Sequence, residues 1–178
     1  MDRDRDYVVL TAVGPDRPGL VNRLASLIRD ADANIEDSRM AILGGEFAVI
    51  LLISGSPGAV ERAKEIGARV ERELDLRCIL KETSPARSPS DYLPYRIDVS
   101  GADRPGIVQV IAAILAGRGI NVASLESRLT YAPFSATPMF VLEASLQVPS
   151  KIVLSELRRE LATTCEEENL DFRLEPGA

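Results

Sequence analysis

Gly14-Pro15-Asp16-Arg17-Pro18-Gly19-Leu20-Val21 returns 87 residues later as Gly101-Ala102-Asp103-Arg104-Pro105-Gly106-Ile107-Val108. The same offset carries Ala25 to Ala112 and Asn34-Ile35 to Asn121-Val122, so the spacing is kept without a gap through a whole helix length. Such self-similarity marks a duplicated unit. Ser38-Arg39 finds its match in Ser127-Arg128 only at an offset of 89, which predicts two extra residues in the second copy by that point. The expected organisation is a first domain over 1–83, a linker over 84–93 rich in Pro and Ser, and a second domain over 94–178.

Working outward from the repeated segment, each copy reads as the same order of elements. Tyr7 to Val13 is apolar and rich in β-branched residues and ends at Gly14-Pro15, as a buried strand does. Leu20, Val21, Leu24, Leu27, Ile28 and Ala31 recur at helical spacing, with Asn22, Arg23, Ser26, Arg29 and Asp30 on the opposite face. Asn34 to Leu43 and Glu46 to Ser54 flank Gly44-Gly45, whose glycines suit a two-residue hairpin turn. Ser56-Pro57 predicts a cap and a first-turn proline for a helix carrying Val60, Ala63, Ile66, Val70 and Leu74, before a last strand over Leu76 to Glu82.

The second copy repeats this with Tyr95 to Val99, an Ile107 to Leu115 helix closed by Gly117 and Gly119, and a hairpin of Ile120 to Tyr131 and Thr137 to Val148 joined through 132–136. Its last helix, with Ser150 as the expected cap, uses Leu154, Leu157 and Leu161 before a strand over Asn169 to Glu175. The order βαββαβ, twice, is an α+β fold: two ferredoxin-like units, each a four-stranded antiparallel sheet with two helices on one face. Units this small bury a limited share of their surface, so pairing between copies or chains is expected.

Composition narrows the chemistry. In 178 residues there is no histidine and there are two cysteines, so no Ser-His-Asp or Cys-His relay and no imidazole metal site is possible within one chain. Cys78 and Cys165 read as small buried apolar side chains. No apolar run is long enough for a membrane span, the Met1 to Asp6 stretch lacks the apolar core of a signal peptide, and a cytoplasmic location is expected. A net charge of −6 opposes direct DNA binding, so any action on a gene would pass through another protein.

The repeated turn joins a strand to a helix start. Asp16 is placed to accept a bond from a first-turn N–H, and Pro18 fits where that donor would be unpaired. Gly19, without a side chain, opens the amides of Gly19 and Leu20 at the partly positive helix end to a carboxylate. Asn34 and Asn121 can supply an amide oxygen for an ammonium and an amide NH₂ for a carboxylate. A tight turn and cap explains one occurrence; recurrence of the whole set, with an arginine no cap requires, points to a site. Arg17 and Arg104 are read first as solvated charges or as ion pairs to a neighbouring helix.

On these residues, Gly-x-Asp-Arg-Pro-Gly-[Leu/Ile]-Val followed by Asn-[Ile/Val], each copy resembles the ACT domain, an amino-acid-responsive regulatory module. The tandem without an attached enzyme is similar to the glycine cleavage system transcriptional repressor family; the same loop occurs in the N-terminal regulatory part of formyltetrahydrofolate deformylases. The resemblance implies a non-enzymatic regulator with no cofactor and no metal that binds a small amino acid, glycine being favoured. It further implies a homodimer and a protein partner such as a transcription activator.

It also implies effectors held where the helix-one loop of one unit faces the second-strand start of another. Asp16, Arg17, Pro18, Gly19, Leu20 and Asn34 would line one site, and Asp103, Arg104, Pro105, Gly106, Ile107 and Asn121 its counterpart. Ala102 stands where the first copy has Pro15, so the two sites need not be equivalent. Two other readings compete: an enzyme using Asp16 and Asp103, for which no shared centre is evident, and an adaptor that pairs by an edge strand without binding an effector.

Overall fold

A computed structural model describes residues 5–84, 91–131 and 136–177, and the chain divides into two units, Met1–Arg87 and Ser88–Ala178. The first contains β1 (Asp6–Pro15), α1 (Leu20–Asp30), β2 (Asn34–Leu43), β3 (Glu46–Gly55), α2 (Pro57–Leu74) and β4 (Arg77–Thr83). The second contains β5 (Tyr92–Ala102), α3 (Ile107–Gly117), β6 (Asn121–Tyr131), β7 (Pro138–Pro149), α4 (Leu154–Glu167) and β8 (Leu170–Pro176). The sheets run β2-β3-β1-β4 and β6-β7-β5-β8, antiparallel throughout. Both are the expected ferredoxin-like arrangement. Residues 85–90 of the expected linker and 132–135 of the second hairpin tip lie outside the described residues, and Tyr92 and Leu93 already belong to β5.

Each core lies between one sheet face and its two helices. Val8, Leu10 and Ala12 of β1 and Phe47, Val49, Leu51 and Ile53 of β3 point inward against Leu24, Leu27 and Ile28 of α1 and Val60, Ile66 and Val70 of α2. Ile97 and Val99, Leu142, Ala144 and Leu146, Ile111 and Leu115, and Leu157 and Leu161 do the same in the second unit. The Gly44-Gly45 turn has both residues at positive φ, 62° and 85°, as a type I′ hairpin requires. Ser56 caps α2, its Oγ accepting from the Ala59 N–H at 3.4 Å, with Pro57 in the first turn.

Three expectations are corrected. Ser150 does not cap α4: the helix starts at Leu154 after Val153, without a side-chain cap, and the Ser150 N–H instead donates to the Asp91 carbonyl at 2.9 Å. The second copy has no insertion within its second strand. Asp37 opposite Leu52 and Ser124 opposite Ser145 occupy the same place after equivalent bulges, so β2 and β6 stay 87 apart, whereas Leu52 and Ser145 are 93 apart; the added residues sit at the hairpin tip. Finally, β1 is buried on one face only. Its other face, with Val9, Thr11 and Val13, is half-buried to exposed.

Candidate functional site

The repeated turn is tied down by its backbone. The Asp16 N–H donates to the Gly45 carbonyl at 3.0 Å and the Asp103 N–H to the Pro138 carbonyl at 3.1 Å, which pins each loop to the hairpin beside it. Gly19 and Gly106 then serve as the N-cap residues, at φ 92° and φ 100°, in the left-handed region that glycine enters at least cost. Their carbonyls accept from Arg23 and Val110, each at 3.0 Å, and start the helices.

No side chain caps either helix. The expected Asp16 cap is therefore absent, because the positive φ at Gly19 starts the helix on its own; Asp16 and Asp103 are exposed, and Pro18 and Pro105 precede the N-cap instead of lying in the helix. A Cβ built on Gly19 or Gly106 meets nothing within 4 Å. These glycines are set by backbone conformation, and the space before them is open. First-turn amides of a helix lack intrahelical partners, and here no cap takes one. Leu20 and Ile107, the first helical residues, turn their side chains into the cores.

In the first unit this corner leads into a cleft of about 430 Å³ along the side of α1, lined by Asp16, Arg17, Gly19, Val21, Met40 and Phe47 among others. Val21 and Met40 are half-exposed apolar walls that sequence reasoning missed as site residues. Val21 reads as core by its spacing, and Met40 becomes a wall because β2 is an edge strand whose inward side extends past the helix. Exposed Val108 stands at the place of Val21, but Ser127 takes that of Met40, between the exposed Leu125 and Leu129 on the same face of β6.

The asparagines lie elsewhere. Asn34 is paired with Ser54, whereas Gly14 is paired with Phe47; seven β3 residues at ~3.3 Å each separate the two ends by about 23 Å. Within one unit, Asn34 and the Asp16 to Leu20 turn are not brought together, and the same holds for Asn121 and the Asp103 to Ile107 turn.

Asn34 is also committed in part: its Nδ2 donates to Glu36 at 3.0 Å, and Glu36 accepts from the buried Ser54 hydroxyl at 2.5 Å. Ser54, then Asn34, with Arg5 nearby, hold the Glu36 carboxyl below its usual range. In the second unit the Asn121 Nδ2 donates to Gln147 Oε1 at 2.8 Å.

The two arginines differ. Arg104 donates to the carbonyl of Glu168 at 3.1 Å and to its carboxylate, at the C-terminal end of α4. Arg17 is exposed and makes no ion pair among the described residues. Neither cysteine has the character of a nucleophile: burial, then Glu71, pushes the Cys78 thiol up to about 11, and burial, then Asp171, raises Cys165. Among the described residues no cluster of three or more Asp, Glu or Cys is arranged to hold a metal, and no helix is long and apolar enough to cross a membrane.

Two ferredoxin-like units in tandem, each starting its first helix on an open left-handed glycine, place the molecule among ACT-domain regulatory proteins, and an ACT-domain sequence profile matches residues 6–78. The chain belongs to the family of the glycine cleavage system transcriptional repressor: it is 31% identical to the Escherichia coli (strain K12) protein of that name over 163 residues, covering 92% of this chain and 86% of that one. A crystal structure provisionally assigned to the same repressor superposes with a TM-score of 0.72 at 31% identity over 96% of both chains. An unknown protein from Galdieria sulphuraria superposes with a TM-score of 0.81 at 29% identity, covering 98% of this chain and all of that one. The named relatives spanning the chain are regulators, not enzymes.

Proposed function

We propose that this chain is a cytoplasmic, amino-acid-responsive repressor of the glycine cleavage system that acts through a protein partner such as a transcription activator. Family membership supports the regulatory role. The net charge of −6 supports action through protein instead of direct contact with DNA. The observation that carries effector binding is the uncapped helix start behind Gly19 and Gly106, with open space where a side chain would stand.

The effector's carboxylate takes the first-turn amides beside Gly19 and Leu20, flanked by Asp16, Arg17 and Pro18. Its ammonium takes the second-strand start of another unit, where Asn34 keeps Oδ1 as an acceptor while its Nδ2 is held by Glu36. Because these two ends lie apart in each unit, effector binding requires paired units and favours the paired state. The Asp103, Arg104, Pro105, Gly106, Ile107 and Asn121 set forms the second site, with Arg104 engaged by Glu168 and so serving the fold more than the ligand. Glycine is the favoured effector. A tenfold change in partner affinity needs about 1.4 kcal/mol of differential binding, within reach of a few charge-assisted bonds.

Calorimetric titration of the full chain with each amino acid tests the reading. Glycine, or at least one small amino acid, should bind, and Gly19→Asn, a residue tolerated at positive φ whose side chain fills the corner, should weaken it at least tenfold with the circular dichroism unchanged. Absence of binding by every amino acid to the folded protein refutes effector sensing.

A further inference from the structure

The outward faces of the two sheets, the sides without helices, carry opposite chemistry on the same scaffold. Register aligns them row by row. Asp37, Leu52, Val9 and Lys81 in the first unit correspond to Ser124, Ser145, Arg96 and Glu175 in the second. Arg39, Ile50, Thr11 and Ile79 correspond to Glu126, Glu143, Asp98 and Arg173, and the next row sets Val13 against Ser100. In the second unit the face is closed by ion pairs, Arg96 to Asp98 at 2.8 Å and to Glu143 at 2.7 Å, and Arg128 to Glu143 at 2.8 Å. In the first unit Ile50 and Ile79 are 52% and 72% exposed, with Val13, Val9 and Leu52 beside them. The fold itself does not need this apolar face, since the other copy folds with charges there.

We propose that the outward face of the first unit's sheet binds the same face of a second copy of this chain. Four strands ~4.8 Å apart and about 25 Å long present roughly 500 Å² per copy, so pairing two buries at least about 1,000 Å², the size a specific interface must reach. The edges are self-complementary in one orientation. Asp37 on β2 and Lys81 on β4 occupy the same row at opposite edges. A two-fold axis along the strands lays β2 over β4, so that Asp37 of each copy meets Lys81 of the other; an axis across the strands would set Arg77 against Lys81. The first arrangement places Asp37 between its own Arg39, at 2.5 Å, and Lys81 of the second copy, in a near-aligned sheet sandwich. This interface is separate from the cleft beside α1 and holds whether or not an effector binds.

Sedimentation equilibrium of the full chain over a hundredfold concentration range tests it, with glycine titration alongside. The wild type should dimerise, and Ile50→Glu with Ile79→Arg, charges of the kind the second unit carries at these positions, should weaken dimerisation at least tenfold while the circular dichroism of the folded chain and the glycine titration stay as in the wild type. Asp37→Lys and Lys81→Asp should each weaken it several-fold, and the two together should restore it, which reads the axis even if the first variant folds poorly. A monomeric wild type, a dimer indifferent to the isoleucine changes, charge reversals that fail to compensate, or a dimer lost only on Met40→Glu in the α1 cleft overturns the proposal.

Discussion

The two units share an inner face and disagree on the outer one. Leu10 and Ile97, 87 residues apart and both fully buried, hold the same place in strands with the same neighbours, whereas Thr11 and Asp98, one residue on, face water in different chemical company. The βαββαβ unit is therefore specified from one side. The helix-facing stripe of each strand, the helices' apolar stripes and the hairpin turn suffice for the fold, and the outward stripe is left to whatever the molecule must meet.

Damage to the shared face should cost most. Leu10→Ala and Ile97→Ala remove equivalent branched side chains from closed cores, and each should destabilise its own unit by about 2–5 kcal/mol. Urea unfolding of the full chain should show the loss, with similar size for both. A difference beyond about 2 kcal/mol between them would mean that the inner faces are not equivalent supports after all.

This one-sidedness also decides how much was legible from residues alone. Helical spacing in Leu20 to Ala31, the Gly44-Gly45 turn and the 87-residue repeat are local or periodic signals, and the fold follows from them. Tyr7 to Val13 reads only as a buried strand, because a continuous apolar run cannot say which face a helix covers. Asp16 reads as a cap because its residue type suits one; that Gly19 takes the cap position in the left-handed region is a property of the backbone path. The candidate site residues read as one set, and the arrangement of that set in space cannot be read with them. Asn34 follows α1 in sequence, and the antiparallel return of the helix places it at the far end from Gly19, so one unit does not bring them together.

Cys78 gives the first core a titratable probe of intermediate effect. It lies on β4, half-buried against the first core. Its thiol, raised to about 11 by burial and then by Glu71, stays protonated in the native state at pH values where the unfolded chain, with a thiol near 8.5, has already lost the proton. Between these values the native state binds more protons, so stability falls as pH rises from about 8.5 towards 11, by roughly 1–3 kcal/mol. Cys78→Ala should remove that part of the slope. Measured as the difference between wild type and variant in alkaline urea titrations, an identical slope in the two would show that the first core does not shield the thiol.

The smallest expected effect separates the two turns themselves. Arg104 bridges the β5–α3 loop to the last turn of α4, where its charge also opposes the partial negative end of that helix. The pair remains about a third exposed, 37% and 33% for its two side chains, so solvent screens it, and Arg104→Ala should cost the second unit only about 0.5–1 kcal/mol. Arg17→Ala, at the same place in the first unit, breaks no ion pair among the described residues and should leave thermal unfolding unchanged. If the first site is the one that takes a carboxylate, the order reverses in an amino-acid titration: Arg17→Ala should weaken binding while Arg104→Ala barely alters it. Equal effects of both substitutions in both measurements would mean that the duplicated turns still do the same work, and that the ion pair to Glu168 is no more than a resting place for a side chain that ligand recruits.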